Sequence, residues 1–232
     1  MISDILSGNF DFVELLLRIP IVLIALSVHE CAHGYAAYKM GDPTAKMFGR
    51  LTLNPIKHLD LFGTICMFFF GFGWAKPVPV NARRFRKPKQ GMAVTALAGP
   101  LSNVLLSFLG LILLAIVNII YIKNPTLLYG ENTFTTNLYT VLLTFCSMFH
   151  YMNLSLAVFN LIPVPPLDGS RLALVFLPDN LYFKLMKYEQ IIQIIIMVSL
   201  FTGLLDTPLT FIVSSLSEGM LKIITFLMEL VI

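Results

Sequence analysis

Residues 19–38 read Ile19-Pro20-Ile21-Val22-Leu23-Ile24-Ala25-Leu26-Ser27-Val28-His29-Glu30-Cys31-Ala32-His33-Gly34-Tyr35-Ala36-Ala37-Tyr38, and Glu30 is the only formally charged side chain among them. About 20 mostly apolar residues make a helix long enough to cross a bilayer. A charged group at the bilayer centre costs roughly 2.5–3.5 kcal/mol on insertion scales, so ionisable residues there usually mark function. His29, Glu30 and His33 fall within five positions. A buried polar network that only locks helix packing is the plain alternative, and the same cost weighs against it.

The rest of the chain agrees with lipid as solvent. Of 232 residues 57% are hydrophobic and 12% charged, where a soluble domain carries roughly 25% charged residues. Mean hydropathy is +0.81. The net charge of +3 is small and its basic residues sit beside apolar segments, which excludes a nucleic-acid binder. Cys31, Cys66 and Cys146 lie in apolar surroundings and predict reduced, buried thiols without a disulfide. Asp4, Asp11 and Glu14 with no early positive cluster argue against a cleaved signal peptide.

Residues 91–122 and 132–167 carry no charge at all, and the second stretch is long enough to end in irregular chain. Residues 190–205 are uncharged but short. Beyond Asp206-Thr207-Pro208 a further apolar run holds Glu218 and Lys222 one turn apart, so residues 188–232 predict a closing helical hairpin. The expected fold is an all-α polytopic membrane protein with about five transmembrane helices. It forms one domain, with a core over residues 20–178.

Residues 61–75 are apolar but short, and Gly63, Gly71 and Gly73 interrupt them. If this segment dips into the membrane and returns, 13 of the 16 Lys and Arg residues share one side: those at 39–57, 76–89, 171, 184 and 187. The positive-inside rule then predicts a re-entrant segment between the first two long spans and a cytoplasmic basic face. Irregular backbone at membrane depth is tolerated where protein buries it, which puts the segment against the functional centre.

On a helix His29 and His33 lie one turn apart on the same face, so both imidazoles can reach one ion. Glu30, one position on, can reach a metal-activated water rather than the metal. Two histidines leave a zinc site incomplete. Asp168 is the candidate third ligand, in Asn160-Leu161-Ile162-Pro163-Val164-Pro165-Pro166-Leu167-Asp168-Gly169. Alone, that stretch is an ordinary turn and helix cap. Parity favours more: spans at 91–122 and 137–160 return the chain to the side of His33 just before Asp168, provided residues 61–75 do not cross.

His29-Glu30-x-x-His33 in a span, followed by Asn160-x-x-Pro163 and Leu167-Asp168-Gly169, resembles the site-2 protease family of intramembrane zinc metalloproteases. Ala98-Gly99-Pro100-Leu101-Ser102-Asn103 resembles it too. Gly73-Trp74-Ala75-Lys76-Pro77-Val78-Pro79-Val80-Asn81 matches a compact bacterial and archaeal branch, without peptide-binding (PDZ) or nucleotide-binding (CBS) modules. The resemblance covers residues 20–178. It implies one Zn2+ per chain on His29, His33 and Asp168, with Glu30 as general base. It gives Asn160 a role in holding substrate or the oxyanion, although Asn160 also suits a helix cap. The implied activity is hydrolysis of peptide bonds in transmembrane proteins of the cell membrane, with the site toward the cytoplasm. Membrane lipids are the other expected partner. A metal-ion transporter or a catalytically silent relative is the alternative. No internal repeat supports the first, and the intact Glu30 opposes the second.

His58 and Asn103 are candidates for outer-sphere or substrate contact, with His58 more simply a loop-shaping residue. His150, ten residues before Asn160, is expected to bond between helices. The basic run Arg83, Arg84, Arg86, Lys87 and Lys89 suits lipid head groups. Lys76 to Asn81 predicts an extended edge that could pair with an unwound substrate strand, so that proline at Val78 or Val80 would raise KM without removing zinc.

Overall fold

The computed structural model describes residues 12–70, 74–124, 133–173, 175–176, 178 and 187–229. Its helices of six or more residues are α1 (Phe12–Met40), α2 (Leu61–Phe70), α3 (Pro88–Lys123), α4 (Thr133–Asn160), α5 (Asp168–Ala173), α6 (Glu189–Phe201) and α7 (Asp206–Glu229). Gly71 and Gly73 lie outside the described residues.

Among the described residues α1, α3, α4 and α7 are long and apolar enough to cross a membrane. At 1.5 Å per residue even the 24-residue α7 spans about 36 Å, against a hydrocarbon core of about 30 Å. Helix α6 has 13 residues, about 20 Å, and does not cross a core of that thickness alone. The long helices overrun the uncharged stretches because their ends are managed locally. Arg18 at the start of α1 pairs with Glu14 at 2.7 Å, and Lys39 closes the last turn over the Tyr35 ring. Outward faces are apolar and exposed, as lipid contact requires: Leu105, Leu109, Ile116 and Ile120 on α3, Ile194 and Val198 on α6, Phe211 and Phe226 on α7.

Helix α3 is the central post. It packs against α1, α4, α5 and α7, and its inner face is small and polar: Gly91, Ala93, Thr95, Ala96, Gly99, Asn103 and Ser107 are buried. Small residues let helix axes approach where no hydrophobic effect drives association. Helix α7 docks through Val213 on Leu154 and Val158 of α4, and through His150. That residue's Nδ1 meets Ser107 Oγ at 2.7 Å, and its Nε2 meets Ser217 Oγ at 2.8 Å, so the interhelical bond expected of it joins three helices.

The segment between α1 and α3 turns back on itself. Leu59 and Ala75 form an antiparallel bridge, and the Lys76 amide donates to the His58 carbonyl at 2.8 Å. Helix α2, ten residues long and about 15 Å, rises from this neck with the Gly63 amide bonded to Asp60 Oδ1. A Cβ on Gly63 would stand 2.0 Å from the Trp74 carbonyl, so only glycine lets the descending chain pass this close. The Leu59–Ala75 bridge sets the two ends of the segment side by side, the geometry expected of a re-entrant stretch over 61–75, and Leu61, Phe62 and Ile65 expose apolar side chains.

Candidate metal centre

Helix α1 carries His29 and His33 on its buried face. The prolines after Asn160 end α4 and deliver Asp168 as the first residue of α5. One ligand-type atom from each of His29, His33 and Asp168 lies within 4.8 Å of the others. The packing of α1 and α5 on α3 brings the two distant motifs together.

The protons at this meeting point follow from the outer partners. Asn103 Nδ2 donates to the Ala25 carbonyl at 3.3 Å and to Asn153 Oδ1 at 2.9 Å. Asn153 Nδ2 in turn donates to the Phe149 carbonyl at 2.8 Å. An amide nitrogen can only donate to such oxygens, so both amides are oriented from the far end of the chain. Asn103 Oδ1 is therefore an acceptor, and His29 Nδ1, 2.5 Å away, carries the proton. His33 Nδ1 lies 2.7 Å from the Thr95 carbonyl, which has no proton to give, so it too is the N–H. Each neutral ring is left with a bare lone pair on Nε2.

Those two Nε2 atoms face each other at 2.9 Å. Asp168 Oδ2 completes the triangle at 3.2 Å from His29 and 3.1 Å from His33. Three acceptors converge with no hydrogen between neutral rings, an arrangement that a cation resolves. Ligands about 2.0–2.1 Å from a tetrahedral zinc stand about 3.3–3.4 Å apart, close to the edges seen here. Two imidazole nitrogens and a carboxylate oxygen are also a donor set that suits zinc. Cys31 is not among the converging atoms.

Gly99 of α3 explains how two imidazoles fit between helices. A Cβ there would lie 2.4 Å from His33 Nε2 and 2.7 Å from His29 Cε1. Pro100 is buried in the same helix. A proline in a helix interior has no N–H for the carbonyl four residues back, here that of Ala96.

Glu30, next to His29, is buried, and its Oε2 accepts the Val78 amide at 2.8 Å. The extended segment 76–81 thus touches the centre. Its inner edge is already in use: the Lys76 amide bonds His58, its carbonyl accepts Arg50 Nη2 at 2.6 Å, and Val78 bonds Glu30. Pro77 and Pro79 alternate with these residues along the chain and have no amide to donate. The proline substitution at Val78 expected to disturb substrate binding would therefore strike Glu30 first. Asn81 anchors the far end, its amide donating to Asp42 Oδ2 at 2.6 Å. Burial of Asp42 pushes its carboxyl up, but the Asn81 amide and the hydroxyl and amide of Thr44 outweigh it, with Arg84 adding, and hold it below the usual carboxylate range.

The other candidates stand apart from the triangle. Asn160 donates back to the Leu156 carbonyl at 2.9 Å, at the end of α4. His58 is fully buried and its Nε2 donates to the Thr52 carbonyl at 2.8 Å, which ties its ring to the neck of the hairpin. Sequence reasoning missed Asn153 and the Val78 amide, and met Gly99 only within a family motif, without its role beside the imidazoles. A mid-span asparagine is a signal for the first; the backbone contact left none.

The model of peptidase family M50 matches residues 18–205. The chain belongs to peptidase family M50, the site-2 protease family. It is 43% identical over 183 residues to the "Putative zinc metalloprotease YwhC" of Bacillus subtilis, covering 79% of each chain. The "Putative zinc metalloprotease MJ0611" of Methanocaldococcus jannaschii is 33% identical over 163 residues, 70% of this chain and 72% of that one. Rip2 of Mycolicibacterium smegmatis, of the same description, is 26% identical over 152 residues, 63% of this chain and 52% of that one. No solved structure gives a significant match. This M50 chain is a zinc metalloprotease and a multi-pass membrane protein, which sets aside the transporter.

Proposed function

We propose that this M50 protease is an intramembrane endopeptidase that cuts peptide bonds in or near transmembrane segments of other proteins. The carrying observation is the convergence of three bare acceptors, His29 Nε2, His33 Nε2 and Asp168 Oδ2, inside a bundle whose helices are long enough to cross a membrane. These residues would hold one zinc ion per chain. Zinc bound there supplies Lewis acidity that activates water and polarises the scissile carbonyl.

The chain's own groups do the rest. Asn103 and the Thr95 carbonyl hold the imidazoles in the tautomer that presents Nε2. Glu30 takes a proton from the attacking water on its carboxylate and passes it to the leaving amine. Asn160 has a second amide hydrogen beyond the one given to Leu156, and it would steady substrate or the developing oxyanion. The positive-inside rule sets the centre toward the cytoplasm, with His33 seven residues from the end of α1, about 10 Å along the axis. The basic run at 83–89 would meet anionic lipid there. The whole chain acts as one domain, with a core over residues 20–178 followed by α6 and α7.

The test is cleavage of a transmembrane substrate by reconstituted wild type and Glu30→Gln, with zinc measured in both. Zinc retained and cleavage lost in the variant supports the reading; equal cleavage rejects it.

A further inference from the structure

We propose that the extended segment 76–81 is a positioning element for the general base, acting through the Val78 backbone amide. The inference rests on Glu30 being that base, and it gives a task to a stretch of main chain that no side-chain motif marks.

A glutamate has three rotatable side-chain bonds, and freezing them for proton transfer has an entropic cost. In this molecule one carboxylate oxygen is held. The Val78 amide donates to Glu30 Oε2 at 2.8 Å, in buried surroundings where a hydrogen bond to a charged acceptor is strong. That leaves Oε1 for the water. Val78 is itself only 8% exposed, and Pro77 and Pro79 on either side restrict the backbone that aims its amide.

The segment is anchored on both sides of this contact. Upstream, Lys76 bonds the His58 carbonyl through its amide and Arg50 Nη2 through its carbonyl. Downstream, the Asn81 amide bonds Asp42 Oδ2, and Asp42 is fully buried and also accepts from Thr44. Arg50 and Asp42 are buried ionisable groups that each give one side-chain bond to this stretch of backbone. Residues held so on either side of one amide fix where that amide points, and through it the rotamer of Glu30.

Two readouts on the full chain in lipid nanodiscs test this. The first replaces Val78 by its α-hydroxy acid, which turns the amide into an ester and deletes the N–H without changing the side chain. Loss of one hydrogen bond to a charged group predicts a fall in kcat of about ten- to a hundredfold. KM and zinc content should stay at wild-type values, a split that general loosening of the segment would not produce. An unchanged kcat, or a rise in KM alone, overturns the proposal. The second is hydrogen exchange of selectively labelled valine amides, which needs no activity. Glu30→Ala should speed exchange at Val78 and leave Val22 of α1 unchanged; no change at Val78 overturns the contact. If wild type cleaves nothing while Val78 loses protection in Glu30→Ala, the proteolytic reading fails and the positioning role falls with it, leaving a structural bond.

Discussion

Two sets of histidines lie buried in the spans, and their surroundings differ in one respect. Each ring nitrogen of His150 meets a hydroxyl, Ser107 Oγ on one side and Ser217 Oγ on the other. Nδ1 also meets the Ser107 carbonyl at 3.1 Å and so carries the proton, while the Ser217 hydroxyl, which can donate, satisfies Nε2, and the ring needs nothing further. His29 and His33 meet pure acceptors on Nδ1, which forces the proton outward and leaves both Nε2 atoms facing each other and a carboxylate. The first arrangement is complete by itself. The second is complete only around a cation. Partner chemistry on each nitrogen, rather than burial or membrane depth, separates a helix pin from a candidate metal ligand.

Gly99→Ala attacks the second arrangement with the smallest possible change, one methyl group. Alanine is the better helix residue by about 1 kcal/mol, so the fold should hold while the imidazoles are pushed apart. Zinc retention after dialysis should fall to background with an intact helical circular-dichroism spectrum; full retention would mean the imidazoles can shift freely. Asn103→Leu removes the acceptor that sets the His29 tautomer without touching a ligand. Outer-sphere losses of this kind weaken metal binding about 10–100-fold, measurable by competition with a chromogenic chelator, and no change would break the tautomer account. His150→Phe is the mirror case. It strands Ser217 and opens the contact between α4 and α7 at a cost of about 1–3 kcal/mol, so thermal unfolding in detergent should occur earlier. Zinc stoichiometry should not move, and any loss of zinc would erase the distinction drawn here.

Much of this was legible in the residues. Charge-free stretches located α3 and α4, because insertion in lipid penalises charge at every position. The distribution of Lys and Arg predicted that residues 61–75 turn back, since topology is set by charges outside the membrane. Spacing put His29 and His33 on one face, and parity returned Asp168 to them. What stayed hidden depends on tertiary contact. The Val78 amide meets Glu30 across 48 residues, and no side chain records it. Asn160 has the family's motif, yet its amide bonds Leu156 within its own helix, a local choice that competes with any role in the site. Asn153 reaches the centre only through Asn103, two contacts removed from the metal motif.

The most direct measurement is zinc stoichiometry and coordination in the purified, lipid-reconstituted protein, by elemental analysis with zinc-edge X-ray absorption, for wild type, His33→Ala and Asp168→Ala. The account predicts one zinc per wild-type chain with two imidazole nitrogens and a carboxylate oxygen in its shell, and loss of that zinc in each variant. A wild type without zinc, or an Asp168→Ala protein whose zinc content and spectrum match wild type, would contradict it.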